Sequence, residues 1–174
     1  MSARRQAWLP RPGTFGSKQQ TTLKTTLLLL ALLLTSVPLL AQNATLRQKH
    51  FSLEKSTALQ GYDPVSYFNA KPLRGKADLT HTHGGVAYRF ANAANLDAFK
   101  KDPARYEPQY GGWCAYAMGH DGSKVEVDPE TYKLIDGKLF LFYNQFFNNT
   151  LKTWNKDEVR LHRQADVNWA KTFR

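Results

Sequence analysis

The chain has 174 residues, of which 42% are hydrophobic, 13% aromatic and 22% charged. That balance supports one globular core of ordinary size and excludes disorder, a collagen-like repeat and a polytopic membrane protein. The formal net charge is +10, from 24 Lys and Arg against 14 Asp and Glu. Arg4, Arg5, Arg11, Lys18 and Lys24 precede residue 42 with no acid among them, so the rest of the chain carries only a modest basic excess. Its charge gives no reason to expect a nucleic-acid partner.

From Leu27 to Ala41 the sequence is mostly apolar, with a basic segment before it and Ala41-Gln42-Asn43-Ala44 closing it. This is the order of a secretory signal peptide, and the run is shorter than the roughly 20 residues that span a bilayer. The expectation is cleavage after Ala41 or Ala44 and a periplasmic or secreted product, which meets a membrane only through an uncleaved signal segment. The chain then divides into a signal peptide at 1–41, a linker or short helix at 42–55 and one domain at 56–172. Cys114 is the only cysteine, so no intrachain disulfide can form and packing alone must hold the domain.

Two hairpins follow in chain order. Leu79–His83 and Val86–Phe90 flank Gly84-Gly85, while Tyr132–Ile135 and Lys138–Tyr143 flank Asp136-Gly137. Both dipeptides suit the positive φ angles of a two-residue turn. After the first hairpin, Asn92 offers an N-cap for a helix over Ala93–Lys101 that Asp102-Pro103 stops. After the second, Phe147, Leu151 and Trp154 recur at helical spacing and predict a helix over Asn144–Trp154, followed by a last helix from about Lys156 to Ala170 with Val159, His162 and Trp169. No internal repeat is visible. The expected fold class is α+β, a small antiparallel sheet of β-hairpins packed with several short helices.

Two places carry distinctive chemistry. A two-residue loop pairs His83 with Val86 and His81 with Tyr88, setting both imidazoles on the apolar face with Leu79 and Phe90. They are either a pair of metal ligands or partly buried, hydrogen-bonded side chains, since a closed zinc site needs four ligands. In Tyr110-Gly111-Gly112-Trp113-Cys114-Ala115-Tyr116-Ala117, two glycines break the chain before a short helix that would hold Cys114 in its first turn. Such a thiol is either activated for soft-metal binding or a small buried hydrophobe. No zinc-protease, serine-hydrolase, phosphate-loop or dinucleotide motif is present.

Taken together, Gly61-Tyr62-Asp63-Pro64-Val65-Ser66-Tyr67-Phe68, the stretch from Tyr88-Arg89-Phe90-Ala91 to Asp102-Pro103-Ala104-Arg105-Tyr106, and Tyr110 to Ala117 resemble the stand-alone exported YHS-domain proteins of bacteria. The resemblance spans about residues 56–170 and implies a small non-enzymatic α+β domain. In the cysteine-bearing branch of that family metal binding is the usual proposal, but Ser66, Ala91 and Asn95 stand at the three cysteine positions here. The expectation is therefore a transition-metal site, copper or zinc, built from Cys114 with one or more of His81, His83 and His120, because thiolate and imidazole suit soft cations. The alternative is a module that binds a protein or small ligand and uses Cys114 structurally.

Overall fold

The computed structural model describes residues 43–69 and 71–173. Its frame is two hairpins, β3 (Lys76–His83) with β4 (Val86–Phe90), and β5 (Asp128–Ile135) with β6 (Lys138–Phe142). Each turns through two positive-φ residues, Gly84-Gly85 and Asp136-Gly137, because that backbone matches the twist of antiparallel strands. In the first, His83 faces Val86 and His81 faces Tyr88, as the alternation predicts; a bulge between Lys76 and Thr80 then sets Lys76, and not Leu79, opposite Phe90. The helix α2 spans Ala93–Lys101, and the Asn92 side chain accepts from the Asn95 N–H at 2.9 Å. Asp102 ends it and caps a single turn, α3 (Pro103–Tyr106).

The sheet is mixed, a correction to the antiparallel expectation within the same α+β class. Short strands β1 (Leu53–Glu54) and β2 (Thr57–Ala58) extend the first hairpin in the order β1-β2-β4-β3, and β2 runs parallel to β4 through Thr57 and Ala87. Residues 43–50 are helical (α1), and Phe51 lies in the core, so the packed body includes this segment as well as the domain expected at 56–172. The segment at 1–41 expected to be a signal peptide lies outside the described residues, among which no helix is long and apolar enough to cross a membrane.

The helix expected over Asn144–Trp154 is shorter. Asn144–Gln145 (β7) and Asn148–Asn149 (β8) form a tight hairpin, and only Thr150–Trp154 (α5) is helical; the remaining α-helices are α4 (Ala115–His120) before the second hairpin and α6 (Glu158–Lys171) at the end. The physical reason is a second asparagine cap: Asn149 Oδ1 accepts from Leu151 N–H at 3.1 Å and Thr150 N–H donates to the Tyr143 carbonyl at 3.0 Å. Phe146 and Phe147 are left at the hairpin tip, both with positive φ and almost wholly exposed. The last helix buries Leu161 and Ala165, while Val159 is 74% exposed.

An internal repeat is present that the sequence hides. In the first half a left-handed turn at Leu59-Gln60-Gly61 leads to Asp63; in the second, one at Tyr110-Gly111-Gly112 leads to Cys114. Asp63 N–H donates to the Leu73 carbonyl at 2.9 Å, and Cys114 N–H to the Val125 carbonyl at 3.0 Å. The parallel pair Thr57–Ala87 has its counterpart in Pro108–Leu139. Each half then adds a hairpin and an asparagine-capped helix. The halves are tied by bonds across the chain: Gln60 Nε2 to the Val127 carbonyl, Tyr62 Oη to Glu130, and Tyr67 Oη to the Pro129 carbonyl. One core cluster holds Tyr88, Phe90 and Phe99 together with Leu139 and Leu141; the other holds Phe140, Phe142, Trp154 and Leu161. Strand β6 is thus buried on both faces.

Candidate functional site

Cys114 is the N-cap of α4, one residue before the first turn in which the sequence placed it. The backbone reaches it through Tyr110, Gly111 and Gly112, all with positive φ. A Cβ on Gly111 would lie 2.8 Å from Trp169 Cη2 and 3.0 Å from Phe51 Cγ, so glycine there meets both a left-handed backbone and a close approach. Trp113 Nε1–H donates to the His50 carbonyl at 2.7 Å, pinning the segment to the helix at 43–50.

The thiol is fully buried. Its sulfur accepts the Tyr143 N–H at 3.4 Å and lies 3.4 Å from Thr150 Oγ1, with either group donating. Above it opens a cleft of about 320 Å3 whose walls include Tyr116, Ala117, Val125, Tyr143 and Thr150. His120, Asp121, Ser123 and Asn148 supply its polar side. His120 Nδ1 is 3.5 Å from Asp121 Oδ2 and its ring leans on Tyr116. Hydrogen bonds from Ser123, with a smaller contribution from His120, hold the Asp121 carboxyl below the usual carboxylate range.

The four expected metal ligands do not converge. Cys114 and His120 share the cleft, whereas the His81 and His83 rings stand edge-on to Phe99 of α2, with centroids 6.3 and 6.1 Å away. Among the described residues no three His, Cys, Asp or Glu side chains are grouped as a metal ion requires. The reason is that Phe99, itself buried, fills the space onto which the first hairpin's apolar face looks. Burial lowers the His81 pKa from its ordinary value, with repulsion from Lys100 and then His83 adding to it. The hydrogen-bond partners of the Cys114 sulfur are Tyr143 and Thr150, and no hydrogen bond joins it to a histidine among the described residues.

The positions that the resemblance aligns with cysteines do come together, around a carboxylate. Buried Asp63 accepts through Oδ1 from the N–H groups of Val65 (2.8 Å) and Ser66 (3.3 Å), and through Oδ2 from Ala91 N–H (2.9 Å) and Asn95 Nδ2 (2.6 Å). Four donors satisfy the acceptor sites of one carboxylate, so this cluster is a structural knot. Sequence reasoning also missed Tyr143 and Thr150 as neighbours of Cys114; their only signal is that they sit at the end of the hairpin and the start of the helix, as Ala91 and Asn95 do in the first half. Comparison with protein-family models, curated proteins and solved structures finds no match to this chain.

Proposed function

We propose that this protein is an exported, non-catalytic binding module of the YHS type, whose ligand is a small organic molecule seated in the cleft over Cys114. The observation that carries the reading is the chemistry of that cleft: tyrosines, Ala117 and Val125 give it an apolar wall, and a few polar groups on one side orient a ligand. Cys114 belongs to the wall, since its sulfur is buried and already engaged by Tyr143 and Thr150. Export rests on the signal-like order of residues 1–44.

A second reading keeps the transition metal, copper or zinc. It is favoured by one observation, that Cys114 and His120 line the same cleft; the other ligands would come from outside the protein. The two readings separate in one experiment. A neutral fluorescent probe, N-phenyl-1-naphthylamine, should bind the full chain saturably, and Ser123→Trp, which fills the cleft mouth, should abolish the signal. Cu(I) or Zn(II) binding lost in both Cys114→Ser and His120→Ala would establish the metal reading instead. Probe binding that Ser123→Trp leaves unchanged would defeat the first.

A further inference from the structure

A different cleft, of about 250 Å3, opens on the face of the four-stranded sheet opposite buried Val86, Tyr88 and Phe90. Arg89 of β4, Thr57 of β2, Arg74, Gln60 and Lys55 line it, with Glu54 beside Lys55. Its walls are fixed by the backbone. Gly75 N–H donates to the Gly61 carbonyl at 2.9 Å, and a Cβ on Gly75 would lie 2.5 Å from the Arg89 backbone, so only glycine lets the chain bring Arg74 this close to β4. Arg74 stacks over the Tyr62 ring at 4.1 Å and donates from Nη1 to the Gln60 carbonyl at 2.8 Å, which holds its guanidinium in place.

Arg89 is half-buried and runs past Gly61, yet among the described residues it has no hydrogen-bond or ion-pair partner. A guanidinium carries five N–H donors in a rigid fork, and those of Arg89 reach solvent in the cleft beside a second guanidinium, so both are open to an anion there. Around the cleft Lys55, Ser56, Leu59 and Gln60 all hold positive φ. Non-glycine residues in that region are strained, and such strain gathers at binding sites.

We propose that this cleft is an oxyanion site that grips one carboxylate or phosphate group of a small ligand between the Arg89 and Arg74 guanidiniums, with Lys55 at its edge. Both oxyanions match the guanidinium fork, which donates two parallel N–H bonds to either. Glu54 repels a second anionic group and so limits the ligand to one. The site is separate from the cleft over Cys114 and stands whether or not that cleft binds anything.

Calorimetric titration of the full chain in non-ionic detergent at low salt, with inorganic phosphate in one arm and acetate in the other, tests it. Saturable one-to-one binding is expected, and the arm that binds more tightly identifies the group. Arg89→Gln and Arg74→Gln should each weaken binding about tenfold, as loss of a charge-assisted bond does. Glu54→Gln should strengthen it, an opposite sign that a merely structural effect would not produce, and Cys114→Ser should leave it unchanged. If Arg89→Gln does not fold, the opposed pair Arg74→Gln and Glu54→Gln decides. No saturable binding of either anion, or binding indifferent to the arginine variants, overturns the site.

Discussion

The Asp63 half and the Cys114 half share one backbone plan and put it to different uses. At equivalent points each places a buried acceptor that receives an N–H from the end of its hairpin and meets a first-turn side chain of the following helix: Ala91 and Asn95 around Asp63, Tyr143 and Thr150 around Cys114. The carboxylate draws four donors and leaves no space. The sulfur makes long, weak contacts, and the inserted β7–β8 hairpin separates the second hairpin from its helix, so a cleft remains above it. The second strands of the two hairpins, β4 and β6, differ in the reverse sense. Leu141, the counterpart of Arg89, is buried in the core that joins the halves, while Arg89 stays at an open face. Each half thus closes the region that the other leaves open.

The sharpest way to break this comparison is to delete the two acceptors. Asp63→Ala strands the Val65 and Ala91 N–H groups and the Asn95 amide, while Ser66 N–H keeps the Asp63 carbonyl, and should cost about 3–5 kcal/mol, whereas Cys114→Ser should cost only about 1 kcal/mol because Tyr143 N–H and Thr150 can still pair with a hydroxyl. Chemical denaturation of both variants checks the ranking, and equal losses would end the claim that the two knots differ in strength. Next in size are the glycines before Cys114. Gly111→Ala meets both a left-handed φ and two rings, and should destabilise by about 2–3 kcal/mol. Gly112→Ala, whose added Cβ finds its nearest atom at 3.6 Å, should lose only the conformational share, about 1–2 kcal/mol. Thermal melts of the pair separate crowding from backbone strain.

Smaller, and of opposite sign, is the tip of the insertion. Replacing Phe146-Phe147 by Asn-Gly removes two side chains from a positive-φ turn that Asn-Gly prefers, and should raise stability by about 1 kcal/mol. Unchanged or lower stability would mean that the phenylalanines make contacts in solution that this structure lacks. The smallest effect is one of pH. Burial keeps folded His81 below its ordinary 6.5, so on acidification the unfolded chain binds its proton first. The contribution is complete above about pH 6.5 and is lost as pH falls through the folded value. His81→Gln should flatten the fall in melting temperature over that window. The equivalent strand of the second half carries Lys133 there, so Lys133→Gln should leave the same slope in place.

Much of this frame was legible. Gly-Gly and Asp-Gly between alternating strands gave both hairpins and the register of His81 and His83, and Asn92 gave the start of α2 to the residue. The failures have local causes. Two-residue strands carry no periodicity, so β1, β2 and the parallel pairing were invisible. The helical spacing of Phe147, Leu151 and Trp154 favoured one helix from Asn144, where a short hairpin comes first and the helix starts only after its cap at Asn149. For the site, the loop before Cys114 and its place at a helix start could be read, but not what surrounds the sulfur, because Tyr143 and Thr150 reach it through long-range packing. His81 and His83 share the expected face; Phe99 occupies the space where a metal would have to sit. The repeat is hidden in the sequence because, apart from glycines such as Gly61 and Gly112 and the strand-end Phe90 and Phe142, its equivalent positions share backbone conformation more than residue type.

The bonds that lace the halves together have a kinetic meaning. Gln60, Tyr62 and Tyr67 reach partners more than sixty residues onward, and Trp113 reaches back to His50. Each hairpin is local and quick to form, but neither can complete its core until those distant contacts close, so search over the chain sets the pace of assembly. The same lacing makes melting all-or-none: a cut in the chain between α2 and α3 should yield fragments that stay unstructured apart and recover order only when mixed.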